Sequence, residues 1–152
     1  MESYIHAKYL QENKIPVKGM LCLESIGYYD DHSDSQNYPV KRMELIYGDK
    51  GNFITVIQNE NAEAFSNQVK TLMESKSLIK TVTFKGNSQV KGIDFSDHLN
   101  YWKFNYDAVM ITNTAFFRNE NYHTEKDIMQ TLDLQKMALV IEQTYQTIKE
   151  IE

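Results

Sequence analysis

The chain has 152 residues, 41% hydrophobic and 24% charged, which is enough for the core of one globular domain. Its net charge of −5 excludes a nucleic-acid-binding role, because clustered Lys and Arg supply most of that affinity. The single cysteine, Cys22, excludes an intrachain disulfide and a cysteine-based zinc site. No apolar run approaches the roughly 20 residues of a membrane helix. The first residues lack the pattern of a signal peptide, so no membrane partner is predicted and the compartment stays undetermined.

The first half of the sequence predicts two helices and two buried strands. The periodicity indicates a helix over 3–12, a strand over 18–26, a polar loop over 30–39 and a strand over 52–58. A second helix follows over 62–74, with Asn61 as its N-cap.

The second half continues the alternation of strands and helices. It predicts a strand over 81–84, a loop over 85–95, a short helix over 97–102 and a strand over 108–112. Asp133 is expected to cap a last helix over 134–149, whose apolar stripe is Leu134, Met137, Ala138, Ile141, Tyr145 and Ile148. This order predicts one domain over 1–152 with an α/β fold: three α/β/α layers around a mostly parallel, mixed sheet.

Glu24 and His123 are the two candidate metal ligands. Glu24 is the one charged residue between Lys18 and Asp30, so it is either paired, bound to a metal or reaching solvent at the strand end. His123 follows a buried strand, where a ligand crevice opens in α/β sheets. The alternative for His123 is a loop histidine bonded to a backbone carbonyl.

Three further residues are candidates for supporting roles. Asp97 and His98 follow Ser96, which on its own is typical of a helix start with a serine cap. Tyr122 is a candidate catalytic residue that could donate a hydrogen bond to an oxyanion, and packing is its alternative role.

Three segments resemble those of the co-catalytic di-zinc aminopeptidases, a zinc-exopeptidase family. They are 22–28, 95–98 and 116–127, and they occur in the order that the family uses. The resemblance implies a zinc-exopeptidase-like fold that hydrolyses peptide bonds at N-termini with two zinc ions. It implies that Glu24 serves one zinc and His123 the other, and that Asp97 and His98 support the metal ligands or lie on the substrate side of the site.

The same resemblance implies that part of the site is missing. A further histidine, a bridging aspartate and a glutamate pair precede the first helix in that family and have no counterpart here. We therefore expect the C-terminal portion of a metallopeptidase catalytic domain, inactive alone, with weak or absent zinc. Its expected partners are a peptide substrate and either the missing N-terminal half or further copies in a homo-oligomer. The alternatives are a non-catalytic peptide- or subunit-binding relative and a glutaminyl cyclase-like enzyme with a single zinc.

Overall fold

A computed structural model describes residues 2–151. In chain order the elements are α1 (Glu2–Glu12), β1 (Met20–Glu24), α2 (Glu44–Tyr47), β2 (Ile54–Asn59), α3 (Ala64–Ser75), β3 (Thr81–Gly86), α4 (His98–Lys103), β4 (Ala108–Thr112) and α5 (Leu134–Glu150). None of the helices in this range is long and apolar enough to span a bilayer.

The four strands form one mixed sheet in the order β1-β4-β2-β3. β1 runs parallel to β4 and β2 runs parallel to β3, whereas β2 and β4 are antiparallel. β4 is buried along its whole length, as expected for an inner strand, and the described part of β1 lies at an outer edge. The mostly parallel, mixed sheet expected from the sequence is therefore present.

Helices cover both faces of the sheet. Residues of α3 and α5 pack against one face in a cluster that includes Val56, Val69, Ile111 and Val140. On the other face, Ala7 and Leu10 of α1 meet Tyr101 of α4 and Ala108 of β4. This arrangement gives the three α/β/α layers that the sequence predicts.

One local prediction, the N-cap of α3, is wrong. Asn61 does not cap α3, which begins at Ala64; instead the Asn61 backbone N–H donates to Asn59 Oδ1 at 2.9 Å and forms a turn. The apolar stripe predicted along α5 is present and is largely exposed: Ile141 is 47% and Ile148 is 54% exposed. The face of α5 that packs inward carries Val140, Gln143, Thr144 and Thr147.

Candidate metal and substrate site

A cavity of about 590 Å³ opens at the carboxyl end of β1. Glu24 is the last residue of β1 and lies opposite Thr112 of β4, and both residues line the cavity. The parallel pair β1 and β4 therefore places its carboxyl ends at this opening, where open α/β sheets bind ligands. His123 lies on the same wall, so the structure brings the two candidate metal ligands to one cavity.

Two serine hydroxyls orient the Glu24 carboxylate. Ser25 Oγ donates to Glu24 Oε1 at 3.0 Å and Ser96 Oγ donates to Glu24 Oε2 at 2.9 Å. A carboxylate has about four lone-pair directions, so two accepted hydrogen bonds leave room for a cation. Glu24 is half-buried, and the hydrogen bonds from Ser25 and Ser96 fix the orientation of its carboxylate at the cavity.

The loop that carries His123 is closed by Asp127. The His123 backbone N–H donates to Asp127 Oδ2 at 3.2 Å, and Asn119 Nδ2 donates to Asp127 Oδ1 at 2.9 Å. The His123 ring stacks on Tyr122, with ring centroids 4.0 Å apart and an interplanar angle of 14°. The Asp127 carboxylate therefore fixes the loop, and the Tyr122 ring fixes the orientation of the His123 imidazole. These contacts explain the spacing of Asn119, Tyr122, His123 and Asp127.

Tyr122 lines the same cavity as the two candidate ligands and stacks on one of them, His123. Burial, and then the negative charge of Glu24, raise the pKa of the Tyr122 hydroxyl above its usual value of about 10. The phenol is therefore protonated at neutral pH and can act as a hydrogen-bond donor.

Strained backbone surrounds the cavity. Ser25, Thr114, Ala115 and His123 have φ angles of 52°, 76°, 46° and 60°, in the left-handed region that L-residues seldom adopt. Neighbouring hydrogen bonds hold two of them: the Thr114 N–H donates to Thr112 Oγ1 at 3.0 Å, and the Ala115 N–H donates to a side-chain oxygen at 2.9 Å. Such conformations persist where the surrounding structure fixes them, commonly at functional sites.

Asp97 and His98 lie away from the cavity wall. Asp97 accepts a hydrogen bond from Ser3 Oγ at 2.6 Å. His98 is completely buried, its Nε2 lies 2.7 Å from the Ile93 carbonyl oxygen, and its ring meets the edge of Trp102. Burial lowers the pKa of His98, so its imidazole is neutral at neutral pH. The supporting role predicted for these two residues stays a prediction.

Sequence reasoning missed the contact made by Ser96 and the role of Arg118. The residues around Ser96 predict a helix cap, yet in the structure its hydroxyl bonds Glu24 from 72 positions away in the chain. Arg118 is buried, donates through Nε to Gln36 Oε1 at 2.8 Å and through Nη1 to the Phe53 carbonyl at 2.9 Å. Burial lowers the pKa of Arg118 to about 10. The sequence feature that could have indicated a buried Arg118 is that it is the one charged residue between Asp107 and Glu120.

The rest of the cavity wall is largely apolar. Phe116 packs against Phe117 with ring centroids 4.5 Å apart, and Phe95 approaches Phe116 at 6.0 Å. Side chains from the sheet complete the wall, including Ile57, Phe84 and Met110. Such a wall suits an apolar group beside the polar end that holds Glu24 and His123.

Comparison with known proteins places the chain in a family. The family model of peptidase family M28 matches residues 7–148. This chain belongs to peptidase family M28. Members of the family are generally zinc-dependent peptidases, which agrees with the predicted class of hydrolase.

Individual relatives agree with this assignment. The uncharacterized protein YfbL of Escherichia coli (strain K12) is 45% identical over 145 residues, covering 93% of this chain and 43% of YfbL. The LapA aminopeptidase of Legionella pneumophila has a similar structure, with a TM-score of 0.64 and 21% identity over 99% of this chain and 36% of LapA. LapB of the same organism gives 0.64 and 16% over 97% of this chain and 35% of LapB. The chain thus spans less than half the length of these relatives, and the zinc-aminopeptidase-like fold is confirmed.

The donor set fits zinc in kind and falls short in number. Carboxylate oxygen and imidazole nitrogen are both ordinary zinc ligands, and catalytic zinc normally has three from the protein. Within residues 2–151 no group of three or more His, Cys, Asp or Glu side chains is arranged to hold a metal ion. The two candidate ligands, Glu24 and His123, are therefore fewer than a catalytic zinc site needs.

Proposed function

We propose that this chain contributes part of the active site of a zinc-dependent aminopeptidase, which removes residues from peptide N-termini. The observation that carries the proposal is that Glu24 and His123 line one cavity in a member of family M28. Because the chain covers 43% of YfbL, the remaining ligands and the general base are assigned to polypeptide other than residues 2–151. On this proposal the chain alone is inactive.

On this proposal, each polar group that lines the site has a specific role. Zinc, when bound, polarises the scissile carbonyl and activates water. Glu24 holds the metal in an orientation set by Ser25 and Ser96, and His123 holds it in an orientation set by Tyr122.

The Tyr122 hydroxyl is proposed to donate a hydrogen bond to the oxygen that becomes negative during attack on the peptide carbonyl. Its raised pKa supports this role, because a phenol that stays protonated can donate throughout the working pH range. The Tyr122 ring also keeps water from one side of the imidazole by stacking on it.

The cavity wall supports a peptide substrate with an apolar N-terminal side chain. Phe95, Phe116 and Met110 offer apolar surface within the same cavity as Glu24. Each methylene that such a pocket buries is worth about 0.8 kcal/mol, so a leucine or phenylalanine side chain would be favoured over alanine.

Zinc binding tests the proposal. In equilibrium dialysis at neutral pH, we expect zinc to bind the chain weakly, because two protein ligands do not make a tight site. Glu24→Gln and His123→Ala should each abolish this binding. The matched control is His32→Ala, a change in a highly exposed histidine that lies outside the cavity wall, and it should leave binding unchanged. Two tightly bound zinc ions per chain would contradict the assignment of ligands outside residues 2–151.

A second candidate function is non-catalytic binding of peptides. It is favoured because residues of this chain line the cavity, whereas residues 2–151 contain no group of three or more side chains arranged to hold a metal ion. Binding of a leucine-containing peptide to the zinc-free chain, lost in Phe116→Ala and retained in Glu24→Gln, would favour this candidate. The single-zinc cyclase-like alternative stays a prediction.

A further inference from the structure

The cavity that holds Glu24 and His123 also carries an ammonium group. Among the described residues that line the cavity, Glu24 is the one acidic side chain and Lys91 is the one lysine or arginine. Lys91 Nζ lies over the ring of Phe116, 5.4 Å from its centroid, where a cation is attracted to the aromatic face. Within residues 2–151, no carboxylate oxygen lies within 4.0 Å of this ammonium. The Lys91 charge can therefore pair with an anion that enters the cavity.

The backbone that carries Lys91 is fixed against the aromatic wall of the cavity. The next residue, Gly92, has a φ of 89°, and a Cβ there would lie 3.1 Å from a Phe117 carbon and 3.3 Å from a Phe116 carbon. Glycine suits this position, because it combines positive φ with close contact to both rings. Ile93 follows, is 3% exposed and packs in a core cluster. The position of Lys91 beside the wall is thus set by the fold.

A row of rings connects Lys91 with the candidate metal ligand His123. The His123 ring stacks on Tyr122 at 4.0 Å, and the Tyr122 and Phe116 centroids are 6.1 Å apart. Lys91 Nζ lies 5.4 Å beyond the Phe116 centroid, so at most 11.5 Å separates it from the Tyr122 centroid. An extended peptide covers at most about 3.3–3.6 Å per residue, so about three residues span this distance.

We propose that Lys91 binds the C-terminal carboxylate of a short peptide whose N-terminal residue lies at Glu24 and His123. The direction of the peptide rests on the proposed function, in which Tyr122 donates to the oxygen of the scissile carbonyl. About one to three further residues then bring the carboxylate to the Lys91 ammonium. The cavity would therefore select peptides of about two to four residues with a free C-terminus, because a longer chain carries its carboxylate past Lys91.

The surroundings of Lys91 favour such a pair. A hydrogen bond between an ammonium and a carboxylate is charge-assisted and stronger than one between neutral groups. The Phe116 ring replaces water on one side of the ammonium, and the attraction between opposite charges grows as the local dielectric constant falls. A peptide amide offers the same shape without the negative charge. Discrimination between a free acid and its amide therefore measures the contribution of Lys91.

Titration of the chain with the tripeptide leucylglycylglycine and with its C-terminal amide tests the proposal. Binding is followed by NMR chemical shifts, in one series without zinc and in a second with excess zinc. The free acid should bind at least about threefold more tightly than the amide, and added salt should reduce the difference. In Lys91→Met the free acid should weaken to the affinity of the amide, whose own affinity stays unchanged. Lys91→Arg should restore the preference, because it keeps the charge.

Lys85→Met is the matched control, since Lys85 is an exposed lysine of β3 that does not line the cavity. It should leave the preference for the free acid unchanged. Equal affinity for the two peptides in the wild type, no binding of either peptide in both series, or an unchanged preference in Lys91→Met overturns the inference.

The outcomes for Lys91 and for the metal site are separable. A chain that takes up no zinc but prefers the free acid through Lys91 contradicts the proposed function and supports the carboxylate site. A chain that takes up zinc through Glu24 and His123 but binds acid and amide equally overturns the carboxylate site alone.

Discussion

Gln143 fixes the rotation of α5, and replacing it with leucine tests that role. Gln143 is completely buried and connects α5 to two other segments. Its Nε2 donates to the Met73 carbonyl at 3.0 Å and to Thr81 Oγ1 at 2.7 Å, and its Oε1 accepts the Ile79 N–H at 3.1 Å. Gln143→Leu removes these three bonds, and a longer one to the Ile79 carbonyl at 3.4 Å, without removing much side-chain volume.

The cost can be estimated from the groups left without a partner. The Ile79 N–H and the Met73 carbonyl are buried backbone groups, and each unsatisfied group costs about 1–3 kcal/mol. The Thr81 hydroxyl loses only the hydrogen bond that it accepts and keeps the one that it donates to the Ile79 carbonyl at 3.3 Å, so it adds little. The added apolar surface of leucine offsets part of the loss, which leaves a net destabilisation of roughly 2–4 kcal/mol.

Urea unfolding and thermal unfolding, both followed by circular dichroism, measure this loss. The midpoint of thermal unfolding should fall by roughly 5–15 °C in Gln143→Leu, since 1 kcal/mol corresponds to about 2–4 °C at this chain length. Gln146→Leu is the matched control, because Gln146 is only partly buried and bonds Glu142 at 2.7 Å on the helix surface. It should change stability by less than about 0.5 kcal/mol. A Gln143→Leu variant as stable as the wild type would refute the account of the helix rotation.

Three further predictions concern the site and its surroundings. Asp127→Ala should speed amide exchange at His123 and weaken zinc binding, because it removes the acceptor that closes the loop. Glu125→Ala is the matched control, and equal effects of the two changes would argue against that role of Asp127. Because burial lowers the folded-state pKa of His98, the unfolded chain binds more protons below about pH 6.5. The free energy of unfolding should therefore not depend on His98 above that pH and should fall as the pH drops below it, by at most about 1.4 kcal/mol per pH unit. A pH profile of stability that is unchanged in His98→Gln would contradict this prediction. Burial raises the pKa of the Cys22 thiol, so a disulfide reagent at pH 8 should react with it only after unfolding, and rapid reaction in the native state would count against it.

The sequence predicts the inner framework well because burial there leaves a strong local signal. β4 occupies the predicted Ala108–Thr112, since a fully buried strand is a continuous apolar run. The last helix begins where Asp133 predicts, and the Asp133 side chain accepts the Lys136 N–H at 2.9 Å. These features depend on neighbours within a few positions, which a sequence displays directly.

Features that depend on distant neighbours were missed. Hydrophobic periodicity predicts an apolar stripe on α5 but does not show which face of the helix meets the core. In the structure Gln143 and two threonines face inward, since Gln143 meets backbone groups near residues 73 and 79. At the site, the sequence predicts that Glu24 lies in a strand over 18–26, and in the structure that strand ends at Glu24; the sequence gives no sign that Ser96 bonds it. Contacts across more than 60 positions have no local pattern.

The left-handed backbone around the cavity has a consequence for how this protein can change. At Ser25, Thr114, Ala115 and His123, glycine would adopt the observed φ angles without the steric cost that an L-residue carries. Selection for heat resistance alone would therefore favour replacing these four residues, while selection for ligand binding would favour keeping them. In a lineage where ligand binding is no longer selected, the residues at the rim of the cavity should be replaced first, and the buried strands beneath them should be kept.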